Sequence, residues 1–121
     1  MKEPQIISHQ GKLIFFMDFS GLKDFNEIKH VVTKSIEYIR SQREKSVLTL
    51  TNLDGIHFNT EINSLFNEFI SGNKPYIKAS SVIGMTGLLR IVYNGLMKVT
   101  GRDIRSFDNI NVAKDWLISK S

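Results

Sequence analysis

TEINSLFNEFISGNKPYIKASSVIGM, residues 60–85, is the stretch that decides the fold class. Its first part carries apolar residues at positions i, i+3, i+4, i+7 and i+8, which predicts an amphipathic helix capped by Asn59 or Thr60. The apolar residues are Ile62, Leu65, Phe66, Phe69 and Ile70. A glycine followed by a proline at 72–75 predicts the end of this helix, and the apolar and small residues from Lys78 to Met85 predict a strand. A helix that leads directly into a buried strand is half of a βαβ unit.

The sequence on both sides of this stretch continues the alternation of strands and helices. Upstream, the pattern predicts a hairpin of Gln5–His9 and Leu13–Phe19, a helix from Phe25 to Gln42 and a strand from Ser46 to Leu53. Downstream, it predicts a helix from Thr86 to Thr100, a strand from Asp103 to Phe107 and a last helix capped by Asp108. The order ββαβαβαβα therefore predicts one α/β domain over residues 1–121, with a mixed, mainly parallel sheet and four helices.

Composition excludes several classes of protein and site. Of the 121 residues 41% are hydrophobic, so a sizeable core is available, and the absence of cysteine excludes disulfides, thiolate metal sites and cysteine nucleophiles. No apolar run is long enough to span a membrane, and the first residues lack the apolar core of a signal peptide. These features predict a cytoplasmic, bacterial-type protein.

Positive charge is concentrated in one part of the chain. Residues 71–107 hold six Lys and Arg side chains against Asp103 alone, whereas the whole chain has a net charge of +4. A cluster of one sign suits an acidic partner, an anionic lipid surface or a phosphorylated ligand, and it also suits a solvated face that keeps a protein soluble. The composition gives no reason to expect nucleic acid as the partner.

Two segments resemble the SpoIIAA-like proteins of the STAS superfamily. The first is KPYIKASSVIGMTGL, residues 74–88, and the second is the tail with Gly101-Arg102, Phe107-Asp108 and AKDWL at 113–117. The resemblance covers nearly the whole chain in its order of elements. It implies a STAS-like fold and a regulatory or protein-binding role. It implies no particular reaction, since most such proteins have none assigned.

The resemblance also implies a candidate modification site. In STAS antagonists a serine at a helix start is phosphorylated to switch partner binding, and Thr60 occupies the matching position after NLDGIHFN, residues 52–59. The family's serine-and-glycine continuation is replaced here by Glu61-Ile62-Asn63. The competing interpretation is that Thr60 or Asn59 only caps the helix.

A second candidate site lies where two loops follow neighbouring parallel strands. Residues 54–60, with Asp54, Asn59 and Thr60, are expected to meet residues 84–90 at the carboxyl edge of the sheet. The second loop contributes glycines at 84 and 87, Thr86 and Arg90. Two helix N-termini and Arg90 would suit an anion, and Lys74, Lys78 and Arg102 would steer it there. Tight turning and helix capping explain Gly84, Thr86 and Gly87 equally well.

The helix predicted from Thr86 to Thr100 is apolar almost all round. A helix of this kind is covered on more than one side. Candidates for the second cover are the neighbouring C-terminal helix, a second copy of the chain in a homodimer, and a bound lipid-like ligand. The residues of this candidate interface are Leu88, Leu89, Val92, Tyr93 and Leu96.

No catalytic constellation emerges from the sequence. The three histidines have no helical metal-site spacing, and His57 with Asp54 lacks a serine in a nucleophile context, so we assign no metal, cofactor or reaction. Two functional hypotheses remain: a non-enzymatic STAS-like module that docks a protein partner, and a carrier whose apolar ligand lies along helix 86–100 with an anionic head near Thr86 and Arg90.

Overall fold

A computed structural model describes all residues from 1 to 121. The strands are β1 (Gln5–His9), β2 (Lys12–Asp18), β3 (Val47–Asn52), β4 (Ile77–Ile83) and β5 (Ile104–Phe107). The helices are α1 (Phe25–Ile39), α2 (Thr60–Asn73), α3 (Gly87–Thr100) and α4 (Ile110–Lys120), and one 3₁₀ turn spans Lys74–Tyr76. The predicted order ββαβαβαβα is confirmed.

The five strands form one sheet in the order β1-β2-β3-β4-β5. β1 pairs antiparallel with β2, and all other pairs are parallel, so the sheet is mixed and mainly parallel as predicted. Because the strand order follows the chain order, the three right-handed crossovers place α1, α2 and α3 on the same face. That face holds the main core of 20 buried residues.

The other face of the sheet is covered by α4. Its residues Ala113 and Leu117 are fully buried against Ile14, Leu48 and Leu50 of β2 and β3. The expectation that the C-terminal helix covers α3 is therefore wrong, because the two helices lie on opposite faces of the sheet. The neighbour that α3 does contact is α2.

Helix ends show which capping predictions hold. Asn59 caps α2, since its side-chain oxygen accepts a hydrogen bond from the Ile62 amide at 2.9 Å. Gly101 ends α3 in the left-handed conformation, as predicted. α4 is capped by Asn109 and not by the predicted Asp108: the Asn109 side chain accepts bonds from the amides of Asn111 and Val112.

Candidate functional site

The two loops of the predicted crevice do meet, but they are packed against each other. Gly84 has a φ of +82°, and a Cβ atom built on it would lie only 2.5 Å from the Asp54 nitrogen and 2.8 Å from the Asp54 Cα. The Leu53 amide also donates a hydrogen bond to the Ile83 carbonyl at 3.0 Å. The carboxyl edge of the sheet is closed at this point.

The β2–α1 loop seals the other side of residues 54–57. The Gly21 amide donates to the Asp54 carbonyl at 2.8 Å, and the His57 amide donates to the Leu22 carbonyl at 2.9 Å. A Cβ atom built on Gly55 would lie 3.7 Å from both the nitrogen and the Cα of Gly21. These backbone hydrogen bonds hold the loop in place and leave no space for a ligand between Asp54 and Gly84.

The charged residues expected at this crevice lie elsewhere. The Arg90 guanidinium donates to the Met85 carbonyl at 2.9 Å and reaches Ser106 of β5 at 3.5 Å, so it lies on the β5 side of α3. Lys78 is the second residue of β4 and Gly84 follows the end of that strand, so the two residues lie about 20 Å apart along it. The expectation that Lys74, Lys78 and Arg102 steer a ligand to residues 84–90 is wrong, because these three residues lie at the opposite, amino edge of the sheet.

Arg102 is a structural residue. Its guanidinium is largely buried, donates to the Ile70 carbonyl at 2.7 Å and to the Ser80 hydroxyl at 2.8 Å, and has no carboxylate partner. Burial lowers the pKa of Arg102. Beside it, burial raises the pKa of Tyr93 to about 12. Arg102 thus links the C-terminal end of α2 to β4, where its charge also complements the negative end of the helix.

An open groove lies between α2 and α3, with a volume of about 470 Å³. The two helices run in the same direction, since both connect parallel strands of one sheet. The α2 side of the groove is uncharged and polar except for Phe58, and the α3 side is apolar. The lining residues are Phe58, Asn59, Thr60, Asn63 and Asn67 on one side and Ile91, Val92, Gly95, Leu96 and Val99 on the other.

Two sets of residues that the sequence analysis treated separately meet in this groove. Asn59 and Thr60 lie at its N-terminal end, and Val92 and Leu96 line its apolar side. Thr60 is exposed, and since Asn59 provides the cap, its hydroxyl makes no hydrogen bond with the rest of the chain. Of the two predicted caps of α2, the structure therefore has Asn59 and not Thr60.

The predicted apolar interface divides into core and surface residues. Tyr93 and Leu96 are buried in the main core, and Leu89 and Val92 are half-buried. Leu88 is 79% exposed, and α3 exposes two further residues that were not predicted, Ile91 at 67% and Val99 at 74%. The spacing of Leu88, Ile91, Gly95 and Val99 is 3, 4 and 4 residues, which places them in one line along the helix.

Asn63 and Asn67 were missed by sequence analysis. With Asn59 they recur every four residues, so their side chains follow one line along α2. Neither Asn63 nor Asn67 makes a side-chain hydrogen bond within the chain; both are half-buried at the groove. The sequence did contain a signal for these residues: asparagine recurs every four positions directly beside the apolar stripe of the helix.

The histidines lie in three separate places. His9 contacts Asp115 at 2.7 Å, His30 contacts Glu3, and His57 lies 3.5 Å from the Asn59 amide. No group of three His, Asp or Glu side chains is placed to hold a metal ion. No helix has both the length and the apolar character that a membrane crossing requires.

Comparison with known proteins yields a match in structure only. No protein-family model and no curated protein matches the chain. The crystal structure of an uncharacterised protein of the DUF3478 family from Shewanella loihica PV-4, described as having a SpoIIAA-like fold, matches with a TM-score of 0.68. The alignment covers 94% of this chain and 91% of the other at 15% identity. This chain has a SpoIIAA-like fold. The fold that the resemblance implied is confirmed, and an identity of 15% carries the likeness no further than the fold.

Within the SpoIIAA-like fold, the α2–α3 groove is the surface that combines space, exposed apolar side chains and free polar groups. The line of Leu88, Ile91, Gly95 and Val99 is about 16 Å long at 1.5 Å per residue. That length matches three turns of a helix laid beside α3.

Proposed function

We propose that this chain is a non-enzymatic, STAS-like regulatory module that docks a helix of a protein partner in the groove between α2 and α3. The observation that carries the proposal is the line of exposed apolar residues on α3, with Leu88, Ile91 and Val99 between 67% and 79% exposed. Large apolar side chains that form one continuous exposed line are typical of interaction sites.

The shape of the groove favours a helix as the occupant. A partner helix laid between two parallel helices would place apolar side chains at helical spacing against α3. Gly95, in the middle of the line, has no atom within 4 Å of its Cβ position and so leaves room for close approach. Asn63 and Asn67 on the opposite side have free amide groups to bond the polar edge of the partner helix.

The charges at the rim favour an acidic partner. None of the ten residues that line the groove is charged. Two exposed lysines lie at its edges: Lys98, two turns after Ile91 on α3, and Lys74, which directly follows the last residue of α2. We therefore expect acidic residues on both sides of the partner's apolar face.

The position of Thr60 supports a regulatory role. Its hydroxyl is exposed at the N-terminal end of the groove and has no capping function. A phosphate on Thr60 would add a charge of about −1.5 to −2 at the entrance of an otherwise uncharged groove. Such a charge would repel an acidic partner, so we expect modification to release it.

The experiment is native mass spectrometry of the tagged protein purified from its own host. We expect a stoichiometric complex with one protein, which Ile91→Glu abolishes and Val112→Glu preserves. Val112 is a matched control, since it is an exposed valine on α4, on the opposite face of the sheet. Leu89→Glu is unsuitable, because Leu89 packs against the main core.

A second candidate, a carrier of a small apolar ligand, is favoured by one observation. The groove volume of about 470 Å³ lies within the range of small-molecule sites, about 300–1,000 Å³. A ligand in the groove could not place an anionic head near Arg90, because the Arg90 side chain lies on the side of α3 that faces β5 and not on the side that faces the groove. In the same mass spectrum, an added mass of lipid size would favour the carrier, and a doubled mass would favour a homodimer; either result would contradict the proposed partner.

A further inference from the structure

A basic basin lies at the amino edge of the sheet and shares no residue with the α2–α3 groove. It is a concave surface of about 520 Å³. We define the basin by its lining residues Lys12, Leu13, Arg43, Glu44, Lys45, Ser46, Leu48, Lys78 and Ser121. Four of these side chains are basic and only Glu44 is acidic.

The fold brings these cations together from distant parts of the sequence. Lys12 follows the β1–β2 turn, Arg43 and Lys45 lie in the α1–β3 loop, and Lys78 is the second residue of β4. Because β2, β3 and β4 are adjacent and parallel, the segments that precede them meet at one edge of the sheet. The concentration of charge is therefore greater in the structure than along the chain.

The four cations have no partners within the protein. Lys12, Arg43, Lys45 and Lys78 are exposed, and none takes part in any of the five ion pairs of the structure. Like charges held around one concave surface repel each other, and a multivalent anion would relieve that repulsion.

The loop that carries Lys45 is held in a fixed conformation. Lys45 has a φ of +54°, which is uncommon for a residue with a side chain. Hydrogen bonds from the Lys45 amide to the Pro75 carbonyl, and from the Ser46 amide to the Tyr76 carbonyl, hold it there. The loop is thus fixed before any ligand binds, which lowers the entropy cost of binding.

An aromatic notch of about 210 Å³ adjoins the basin and shares Leu13, Arg43, Ser46 and Leu48 with it. Leu13 is 62% exposed. The half-buried Tyr38 ring lines the notch and stacks on Phe15 with 4.5 Å between ring centroids. An apolar or aromatic group would fit here beside the cations.

We infer that the basin and the notch together bind a small organic polyphosphate, with two or more phosphate groups among Lys12, Arg43, Lys45 and Lys78 and an aromatic end against Leu13 and Tyr38. The alternative is that these cations only complement the negative C-terminal ends of α1 and α2, which point to the same edge. The two interpretations differ in whether a ligand binds.

The experiment is calorimetric titration of the whole chain with a nucleoside triphosphate at low ionic strength without magnesium. We expect saturable binding of one ligand that weakens as salt is added. The double variant Lys45→Gln/Lys78→Gln removes two of the four cations and should weaken binding about tenfold. The matched control Lys29→Gln/Lys34→Gln lowers the net charge equally on the exposed surface of α1 and should bind as the wild type does.

The parallel titrations distinguish the possible sources of phosphate. If a nucleoside monophosphate and inorganic tripolyphosphate both bind more weakly than the nucleoside triphosphate, the result would support a site made of both the basin and the notch. Equal binding of tripolyphosphate would overturn the role of the notch. The inference would be overturned if the triphosphate did not bind, or if both double variants lost the same amount of triphosphate affinity. It would also be overturned if the chain bound only phosphatidylglycerol vesicles or only single-stranded DNA. None of these outcomes bears on the α2–α3 groove, which shares no residue with the basin.

Discussion

Replacing Gly84 by alanine tests whether the carboxyl edge of the sheet is closed. Gly84 has a positive φ of +82°, and its added Cβ would lie 2.5 Å from a backbone nitrogen of residue 54. Gly87 also has a positive φ, +53°, but has no atom within 4 Å of its Cβ position. The pair of variants Gly84→Ala and Gly87→Ala therefore separates backbone strain from steric overlap.

The expected magnitudes follow from these two costs. An alanine in the left-handed region costs about 1–2 kcal/mol, and this cost applies to both variants. Overlap with backbone that cannot move freely adds about 1–3 kcal/mol at position 84 alone. The smaller entropy of an unfolded chain with alanine stabilises both variants by a similar amount, so it cancels in the comparison.

The assay is thermal unfolding followed by calorimetry. A chain of this length has an unfolding entropy of about 250 cal/mol/K near its midpoint, so Gly87→Ala should lower Tm by about 4–8 °C. Gly84→Ala should lower Tm by about 8–20 °C. Equal shifts in the two variants would refute the close contact of residues 54 and 84, and the loops would then have room for a ligand.

Three further predictions concern single side chains. Asn59→Ala should destabilise the fold by about 1 kcal/mol in urea unfolding, since it removes the cap of α2, whereas Thr60→Ala should change stability by less than about 0.5 kcal/mol. Arg102→Met should destabilise the fold by about 1–3 kcal/mol in urea unfolding, because the Ile70 carbonyl and the Ser80 hydroxyl lose their donor; unchanged urea stability would contradict the structural role. Burial raises the Tyr93 pKa from 10 in the unfolded chain to about 12 in the fold. The stability that the protonated Tyr93 contributes is therefore complete below pH 10 and is lost as the pH rises towards 12. Tyr93→Phe should lose less stability than the wild type over this alkaline range.

The order of elements could be predicted from the sequence because it depends on local patterns. Stripes such as Ile62 to Ile70 and stops such as Gly101 are set by helical spacing and by backbone conformation, and the structure confirms both. The cap of α4 could not be predicted, because Asp108 and Asn109 are adjacent and both are good capping residues. Tertiary packing selects between them.

The position of α4 could have been predicted from the sequence. The apolar run from Leu13 to Met17 indicates a strand that is covered on both faces. Three right-handed crossovers between consecutive neighbouring strands cover only one face, so the last helix has to cover the other. The surplus of apolar residues on α3 then has no helix to cover it, which is why Leu88 and Ile91 remain exposed.

The basin could not be found by counting charge along the chain. Residues 71–107 are the most basic segment, yet of the six cations there only Lys78 lines the basin. The other three cations come from residues 12–45, which carry acidic residues as well. Grouping the loops by the edge of the sheet to which they belong, and not by their position in the sequence, is what would have brought them together.

Strand order explains why neither candidate surface is a crevice between the loops at the carboxyl edge of the sheet. Ligand crevices in parallel sheets form where neighbouring crossovers leave on opposite faces, because the helices then diverge. Here β2 to β5 follow one another in order and α1 to α3 stay on one face, so the helices pack side by side and their N-terminal loops close over the strand ends. Such a fold has its accessible concave surfaces between helices, as in the α2–α3 groove, or at the amino edge, as in the basin. Because these two surfaces share no residue, Ile91→Glu and Lys45→Gln/Lys78→Gln should each abolish or weaken binding at one surface and leave the other intact.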